Sequence, residues 1–340
     1  MFELVVAMCL EGGVCRDVLI PGHEAATEAA CAAGPGAVAP AVPGLSAGRA
    51  LCRPAGEALS LDEVASGLWV HAGAVAEPDA VNRGDISNLA VIVGRQSVAV
   101  VDTGSARWMG EALWRAIRAR TDLPVSHVIL THMHPDHVLG ATVFAEAGAE
   151  LVGHAALPQA LADRADTYLG NMAGLIGAAA IGTMVPQVTI TVAEPMEIDL
   201  GDRILTVSPQ ETAHSGNDVT ILDRKTGILL AGDLIFDRHV PALDGSLRGW
   251  QRVLGRLAAE PAAGVVPGHG QALMPWPEAA APVMRYLDRL AADTRVALDD
   301  GLHMGEAITA IGAAERANWQ LFDQYNARNA TVAFAELEWE

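Results

Sequence analysis

The sequence has little positive charge. Its 340 residues include 22 Lys and Arg against 41 Asp and Glu, which gives a formal net charge of −19 at pH 7. Binding to nucleic acid or to an anionic membrane surface depends largely on Lys and Arg. The composition therefore argues against both partners. It does not exclude a small-molecule substrate, because the field inside a cleft is set by the groups that line it.

The sequence also lacks a hydrophobic run long enough to cross a membrane. A spanning helix needs about 20 apolar residues, whereas the longest apolar stretch after the N-terminus, residues 172–185, is shorter, rich in glycine and followed by Pro186. The apolar start contains Glu3 and has no basic residues of the kind that begin a signal peptide. We therefore expect no membrane insertion. The sequence is also compatible with a mature form from which an export signal was removed. The hydrophobic fraction of 51% predicts a globular fold.

Cysteine is absent after residue 52, and four cysteines are crowded before it: Cys9, Cys15, Cys31 and Cys52. This pattern predicts two disulfides in a small N-terminal segment, residues 1–60, and leaves their pairing open. A zinc knuckle is less favoured because no C-x-x-C pair is present, and free thiols are the remaining alternative. Disulfides predict an oxidising compartment, either the periplasm or the cell exterior. Residues 34–56 are rich in Gly, Pro and Ala and are predicted to be a linker.

The remaining residues, 61–340, are predicted to form one domain. Buried strand patterns and helical patterns each occur in two blocks along the chain, including a hairpin around Gly94 and Arg95, a helix capped by Ser105 and a last helix near residues 305–327. This order fits an α/β fold in which two sheets pack together with helices outside, an αββα sandwich. An Ala-rich helical insert at residues 155–182 can form a lid or wall of a cleft, although core packing would give the same pattern.

The strongest chemical signal is the run from Thr131 to His137, which contains His-x-His-x-Asp-His. Residues two positions apart at the end of a strand point the same way, so His132 and His134 can face one metal ion. Asp136 and His137, at the start of the next helix, can face a second ion.

This motif resembles the signature of the metallo-β-lactamase superfamily, and the further motifs of that family occur in the expected order. The four motif residues are Asp102 in VVDTG, His214 in TAHSGN, Asp233 in LAGDLIF and His269 in VPGHG. The resemblance covers residues 68–274. It implies two zinc ions held by two ligand sets with one bridging carboxylate: His132, His134 and His214; Asp136, His137 and His269; and Asp233 between them.

The resemblance also implies a mechanism. A water between two metal ions has a lowered pKa and can attack an ester, thioester, amide or phosphoester as hydroxide. Asp136 would orient this water, and Asp102 would orient the metal ligands. Because position 233 is Asp rather than Cys, the chain differs from the β-lactamases that use a Cys ligand.

A finer resemblance rests on residues 236–250 and the N-terminal cysteines. These are similar to zinc metallohydrolases associated with periplasmic, PQQ-dependent quinoprotein dehydrogenase relay systems and related to those of sulfur-oxidation clusters. The resemblance implies a periplasmic enzyme working beside a quinoprotein dehydrogenase, with an undefined small-molecule substrate. Arg238, His239 and Asp244 are candidates for the substrate rim, and ordinary loop or helix-cap roles are equally open for them.

Two other functions stay open at this point. The first is a mononuclear Fe²⁺ persulfide dioxygenase, since some superfamily members hold iron with residues matching three of the histidines and Asp233. The second is a non-catalytic quinoprotein partner with a relic site. The complete set of Asp136, His137 and His269 favours two metals over either alternative.

Overall fold

The computed structural model describes residues 1–33 and 39–340. Its N-terminal part is an antiparallel sheet with the order β2-β1-β3 and one short helix. These elements are β1 (Phe2–Leu10), β2 (Cys15–Ala25), α1 (Glu28–Ala32) and β3 (Leu45–Pro54). The predicted linker is therefore wrong over β3, because the Ala- and Gly-rich stretch pairs along its length with β1. The part of that prediction at residues 34–38 lies outside the described residues.

Both predicted disulfides are confirmed, and both lie within this N-terminal part. Cys9–Cys15 joins β1 to β2, where the two residues are also paired across the strands. Cys31–Cys52 joins α1 to β3. The cross-links hold together a unit whose own core is small: Val6, Met8, Val18 and Ile20, closed by Ile181 of the main domain.

Buried ion pairs fasten the N-terminal sheet to the main domain. The fully buried Arg107 side chain donates to Glu111 Oε1 at 3.0 Å, to Glu146 at 2.6 and 2.7 Å, and to the carbonyl of Leu19 at 2.8 Å. From the N-terminal sheet, Arg16 donates to Glu111 Oε2 at 2.7 Å. The Arg107–Leu19 and Arg16–Glu111 contacts cross the predicted domain boundary near residue 60, which itself stays a prediction.

The first sheet of the main domain has the order β10-β9-β8-β7-β6-β5-β4, with antiparallel pairing from β4 to β7 and parallel pairing from β7 to β10. Its strands are β4 (Asp62–Ala65), β5 (Leu68–His71), β6 (Leu89–Val93), β7 (Val98–Val101), β8 (Val125–Ile129), β9 (Glu150–His154) and β10 (Ile190–Val192). The helices between them are α2 (Arg107–Arg118), α3 (Pro135–Val138), α4 (Thr142–Glu146) and α5 (Leu157–Ile176), followed by a 3-10 helix at Gly177–Ala180.

The second sheet has the order β11-β12-β13-β14-β15. Its strands are β11 (Met196–Asp199), β12 (Ile204–Pro209), β13 (Val219–Asp223), β14 (Ile228–Phe236) and β15 (Gly264–His269). The helices that accompany it are α6 (Leu247–Ala258), α7 (Ala280–Asp299), α8 (Met304–Ala307), a 3-10 helix at Ala313–Asn318, and α9 (Phe322–Leu337).

Alternating side chains along the strands explain the layers. In β6, Leu89 and Val91 pack in the cluster formed with the helices outside the first sheet, whereas Ala90 and Ile92 pack in the cluster between the two sheets. A strand buried on both faces has a continuous apolar sequence, as β6 does. A third cluster joins the second sheet to α6, α7 and α9. The predicted αββα sandwich is confirmed.

Two local predictions were wrong. Ser105 does not cap α2: its hydroxyl donates to the carbonyl of Gly84 at 2.6 Å, and the cap residue is Ala106. The predicted helix at residues 305–327 is divided, because Gly312 adopts a left-handed conformation with φ 74° between α8 and the next helical segment. Among the described residues, no helix is long and apolar enough to cross a membrane.

Candidate metal centre

The structure brings the seven predicted ligands together at one edge of the sandwich. His132 and His134 lie in the turn between β8 and α3, whose first residues supply Asp136 and His137. Asp233 lies in β14, His269 ends the parallel neighbour β15, and His214 precedes β13. The side chains form two groups of closely spaced ligand atoms: His132, His134, His214 and Asp233; and Asp136, His137 and His269.

Three imidazoles of the first group converge through their ring nitrogens. Nδ1 of His134 lies 3.0 Å from Nε2 of His132 and 3.0 Å from Nε2 of His214. The outer nitrogens of two of these rings contact oxygen atoms. Nδ1 of His132 lies 3.0 Å from the hydroxyl of Thr131, and Nδ1 of His214 lies 2.6 Å from the carbonyl oxygen of Ala242. A nitrogen that donates outward fixes the tautomer, so the inward nitrogen carries a lone pair. Converging lone pairs are the arrangement that a cation requires.

Asp233 connects the two groups. Its Oδ2 lies 3.6 Å from Nε2 of His214 and 3.4 Å from Nε2 of His269, and its Oδ1 lies 3.2 Å from Nε2 of His137. Within the second group, Asp136 Oδ2 is 3.4 Å from Nε2 of His137 and 3.3 Å from Nε2 of His269. One carboxylate therefore faces ring nitrogens of both groups.

Asp102 and a backbone carbonyl hold the outer nitrogens of the second group. Asp102 Oδ2 accepts from Nδ1 of His137 at 2.8 Å, and its two oxygens also accept from the amide and hydroxyl of Thr131 at 2.8 and 2.7 Å. Nδ1 of His269 donates to the carbonyl of Ile86 at 2.8 Å. Asp102 therefore contacts His137, one of the residues that it was predicted to orient.

Within the part of the chain that the structure describes, two buried atoms of the cluster have no hydrogen-bond partner: Nε2 of His137 and Oδ1 of Asp233. An unpaired buried polar atom costs roughly 1–3 kcal/mol, and two such atoms facing each other fit the coordination of a cation. Imidazole and carboxylate ligands suit zinc and other first-row transition metals. The residues present fit a metal-binding centre.

Burial and charge set the protonation of the cluster. Burial lowers the pKa of the His132 imidazole well below its usual value and that of His214 to about 3, so both rings are neutral. Burial alone would raise the pKa of Asp136 and Asp233, but the neighbouring His137 and His269 hold both carboxyls below their usual range. Although burial lowers the pKa of His137 and His269, the neighbouring carboxylates Asp233 and Asp136 raise it above the usual value. Because neutral imidazoles and ionised carboxylates are the forms that bind metal ions, binding to the second group would release protons from these two rings.

A cavity of about 260 Å³ opens over the cluster. Its lining includes His239, whose ring centroid lies 5.0 Å from that of His269, so this predicted rim residue reaches the site. Asp244 lies behind the lining, with Oδ2 3.2 Å from Nε2 of His134. Arg238 is not among the lining residues: it is half-exposed and contacts Asp237 at 3.2 Å.

Several cavity residues were not predicted from the sequence: Arg164, Tyr325 and Arg328 among them. Helix α5 forms one wall of the cavity through Tyr168 and Met172, as one interpretation of the helical insert expected, while Met172 also packs in the core. Asp218 is a further unpredicted residue near the ligands. It is buried, accepts from the amide and hydroxyl of Ser215, and burial raises its pKa to about 7.

Comparisons with known proteins agree with this geometry. The family model described as the metallo-beta-lactamase superfamily matches residues 82–269, more than half of the chain. No curated protein matches the sequence significantly. A beta-lactamase domain protein from Burkholderia ambifaria superimposes with a TM-score of 0.61 at 20% identity, covering 82% of this chain and 88% of that one.

A metallo-beta-lactamase from Pontibacter korlensis superimposes with a TM-score of 0.56 at 19% identity, covering 68% of this chain and 99% of that one. At these identities the two structures show a shared fold, and the family assignment rests on the model match. The chain belongs to the metallo-beta-lactamase superfamily.

Proposed function

We propose that this protein is a dinuclear zinc hydrolase that acts on an ester, thioester or amide bond. The observation that carries the proposal is the position of Asp233, whose oxygens face His214 of one ligand group and His137 and His269 of the other. Each group would hold one ion, with Asp233 between them. Members of the superfamily are mostly hydrolases, which agrees with the proposal.

When bound, the two metal ions would supply Lewis acidity and lower the pKa of a water towards neutrality. The chain's own residues then have defined tasks. Asp136 lines the cavity and stays ionised, so its carboxylate could hold the ion of the second group and orient a water. Phe236 stacks on His269 with ring centroids 5.3 Å apart and excludes bulk water from that side.

Zinc is favoured over a single iron ion by the second ligand group. A mononuclear site would use His132, His134, His214 and Asp233 and would leave the other group without an ion. The imidazoles of the second group have hydrogen-bond partners at their outer nitrogens, as those of the first group do: Asp102 for His137 and the Ile86 carbonyl for His269. Such support of outer nitrogens is expected for residues that bind a metal.

The N-terminal disulfides bear on the cellular setting of the protein. The two disulfides indicate a compartment outside the cytoplasm, and we propose the periplasm. Association with a quinoprotein dehydrogenase system rests on the sequence resemblance of residues 236–250 and of the N-terminal cysteine segment. The family match extends to the superfamily and not to that subgroup.

The hydrolase proposal is tested with zinc-loaded protein on a panel of phenyl esters, thioesters and a β-lactam. We expect turnover of at least one class, loss of turnover after chelation and recovery when zinc is added. Asp136→Asn keeps the size of the side chain but removes its charge, and we expect it to lower kcat about 100-fold, because the amide would bind the ion more weakly and would orient the water less well. Turnover that survives chelation, or that is equal in this variant, would contradict the proposal.

A further inference from the structure

Two arginines from distant parts of the chain meet at the wall of the cavity. Arg164 of α5 and Arg328 of α9 both contact Asp244: Nη2 of Arg328 lies 2.5 Å from Oδ1, and Nη2 of Arg164 lies 3.4 Å from Oδ2. Oδ2 also lies 3.2 Å from Nε2 of His134. The single negative charge of Asp244 therefore faces two guanidinium groups and an imidazole.

Arg164 and Arg328 each have N–H donors that do not contact Asp244. Both line the cavity, and their side chains are 43% and 55% exposed. Each guanidinium carries five N–H donors, and within residues 1–33 and 39–340 neither has an ion pair other than that with Asp244. Two positive charges against one carboxylate leave a positive surplus at this wall, in a chain whose net charge is −19.

The other charged groups that line the cavity do not cancel this surplus. Asp136 and Asp233 belong to the metal centre. Glu77 lies by Tyr325, where its carboxylate together with burial raises the pKa of the tyrosine hydroxyl. The wall formed by Arg164 and Arg328 is therefore positively charged, whatever the metal centre holds.

Tyr168 adds an uncharged donor to the same wall. It follows Arg164 by one helical turn in α5, lines the cavity and is 8% exposed. Its buried hydroxyl has no hydrogen-bond partner among the described residues. Burial raises its pKa to about 12, which keeps the proton in place for donation at neutral pH.

The position of Arg328 is fixed by its neighbour. Asn329 is fully buried, donates to the carbonyl of Pro241 at 2.6 Å and accepts from the amide of Leu243 at 2.9 Å. These bonds tie α9 to the segment that carries Asp244. The arginine therefore approaches the cavity on a helix that is anchored beside the metal centre.

We propose that Arg164, Arg328 and Tyr168 form a subsite for a carboxylate group of the substrate. Asp244 already shows that the two guanidinium groups converge on a carboxylate, and paired N–H donors match its planar shape. The cavity volume of about 260 Å³ limits the substrate to a small molecule. The inference deepens the proposed function, on which it rests: the substrate is a small ester or thioester that carries a free carboxylate.

Matched substrate pairs test the subsite in the zinc-loaded protein. One pair places the charge on the leaving group, 3-acetoxybenzoate against 3-acetoxybenzamide; the other places it on the acyl group, phenyl hydrogen glutarate against phenyl glutaramate. In each case water adds to the acyl carbon, the acyl C–O bond breaks and the phenol leaves with a proton. We expect kcat/KM to favour the carboxylate in at least one pair by about tenfold or more, the usual gain from charge-assisted hydrogen bonds.

Variants assign that preference to the proposed residues. Arg164→Gln and Arg328→Gln are each expected to lower the preference about tenfold, mainly through KM, and Tyr168→Phe to lower it several-fold. Arg328→Lys keeps the charge and should recover part of the loss. The control is Arg289→Gln on α7, an exposed arginine that pairs with Asp293 away from the cavity, which should leave the preference unchanged.

A binding measurement separates this inference from the hydrolase proposal. Calorimetric titration with 3-hydroxybenzoate and 3-hydroxybenzamide needs no turnover. Preferential binding of the anion that is lost in Arg328→Gln supports the subsite even if no ester is cleaved, in which case the hydrolase proposal fails alone. Ester cleavage without a carboxylate preference in either pair overturns the subsite and leaves the hydrolase proposal standing. A preference that both Arg→Gln variants retain, with their fold intact by circular dichroism, also overturns it.

Discussion

Replacing Asp102 by Asn tests how the fold holds the second ligand group. Asp102 Oδ2 accepts from Nδ1 of His137 at 2.8 Å, which leaves the lone pair of the other ring nitrogen, Nε2, for an ion held together with the nearby Asp136 and Asp233. An amide at this position can still accept from the Thr131 amide, but its NH₂ group would face Nδ1. The ring would then have to accept at Nδ1 and carry its proton on Nε2, where a metal ion needs the lone pair.

We expect a moderate loss of zinc affinity in Asp102→Asn. Removing an outer partner of a ligating histidine lowers metal affinity roughly 10- to 100-fold, which corresponds to about 1.4–2.7 kcal/mol. The loss should fall on the ion held by Asp136, His137 and His269, whereas the ion held by His132, His134 and His214 should keep its affinity. Competition between the protein and a chromophoric zinc chelator measures the two affinities separately.

A second Asp–His pair in the same chain is the control. Asp85 Oδ1 lies 2.7 Å from Nε2 of His71, and neither residue belongs to the ligand groups. Asp85→Asn should therefore leave both zinc affinities as they are. Equal zinc binding by wild type and Asp102→Asn would refute the orienting role, and so would an equal loss in the Asp85 variant.

Three predictions concern stability. Arg107→Met should lower the free energy of unfolding by about 3 kcal/mol in urea titrations, because Glu146 loses its partner and the buried Glu111 keeps only Arg16; a loss below about 1 kcal/mol would contradict this. Replacing Cys31 and Cys52 by Ala opens a loop with a sequence separation of 21 and should cost about 3 kcal/mol by chain entropy, measured in the same way. Burial raises the pKa of Asp218 to about 7, so the folded state retains a proton that the unfolded chain has lost, and stability falls as the pH rises from about 4 to 7. In chelator-treated protein, Asp218→Asn should flatten that slope, and an unchanged slope would contradict the buried neutral carboxyl.

The ligand residues could be predicted because their signals are local. His132, His134, Asp136 and His137 lie within six positions, and the turn from β8 to α3 alone brings them together. The buried strands of the two sheets are equally predictable, since a short continuous apolar run such as residues 89–93 is typical of a strand that is buried on both faces.

What the sequence did not show depends on long-range packing. Arg328 lies 84 positions from Asp244, and only the packing of α9 brings the two together. The Ala and Gly residues of β3 have low strand propensity and so favour a linker, whereas pairing with β1 decides the conformation. The closeness of Arg238 to Asp233 in sequence predicts a position at the substrate rim, but the backbone there turns the arginine side chain towards Asp237.

The central claim is that this centre holds two zinc ions, and metal content tests it most directly. Plasma mass spectrometry on protein purified without added metal or chelator, beside Asp233→Ala, is the measurement. We expect about two zinc ions per chain and a substantial loss in the variant, whose missing carboxylate faces both ligand groups. About one iron per chain would contradict the account and direct the search to oxygen-dependent sulfur chemistry.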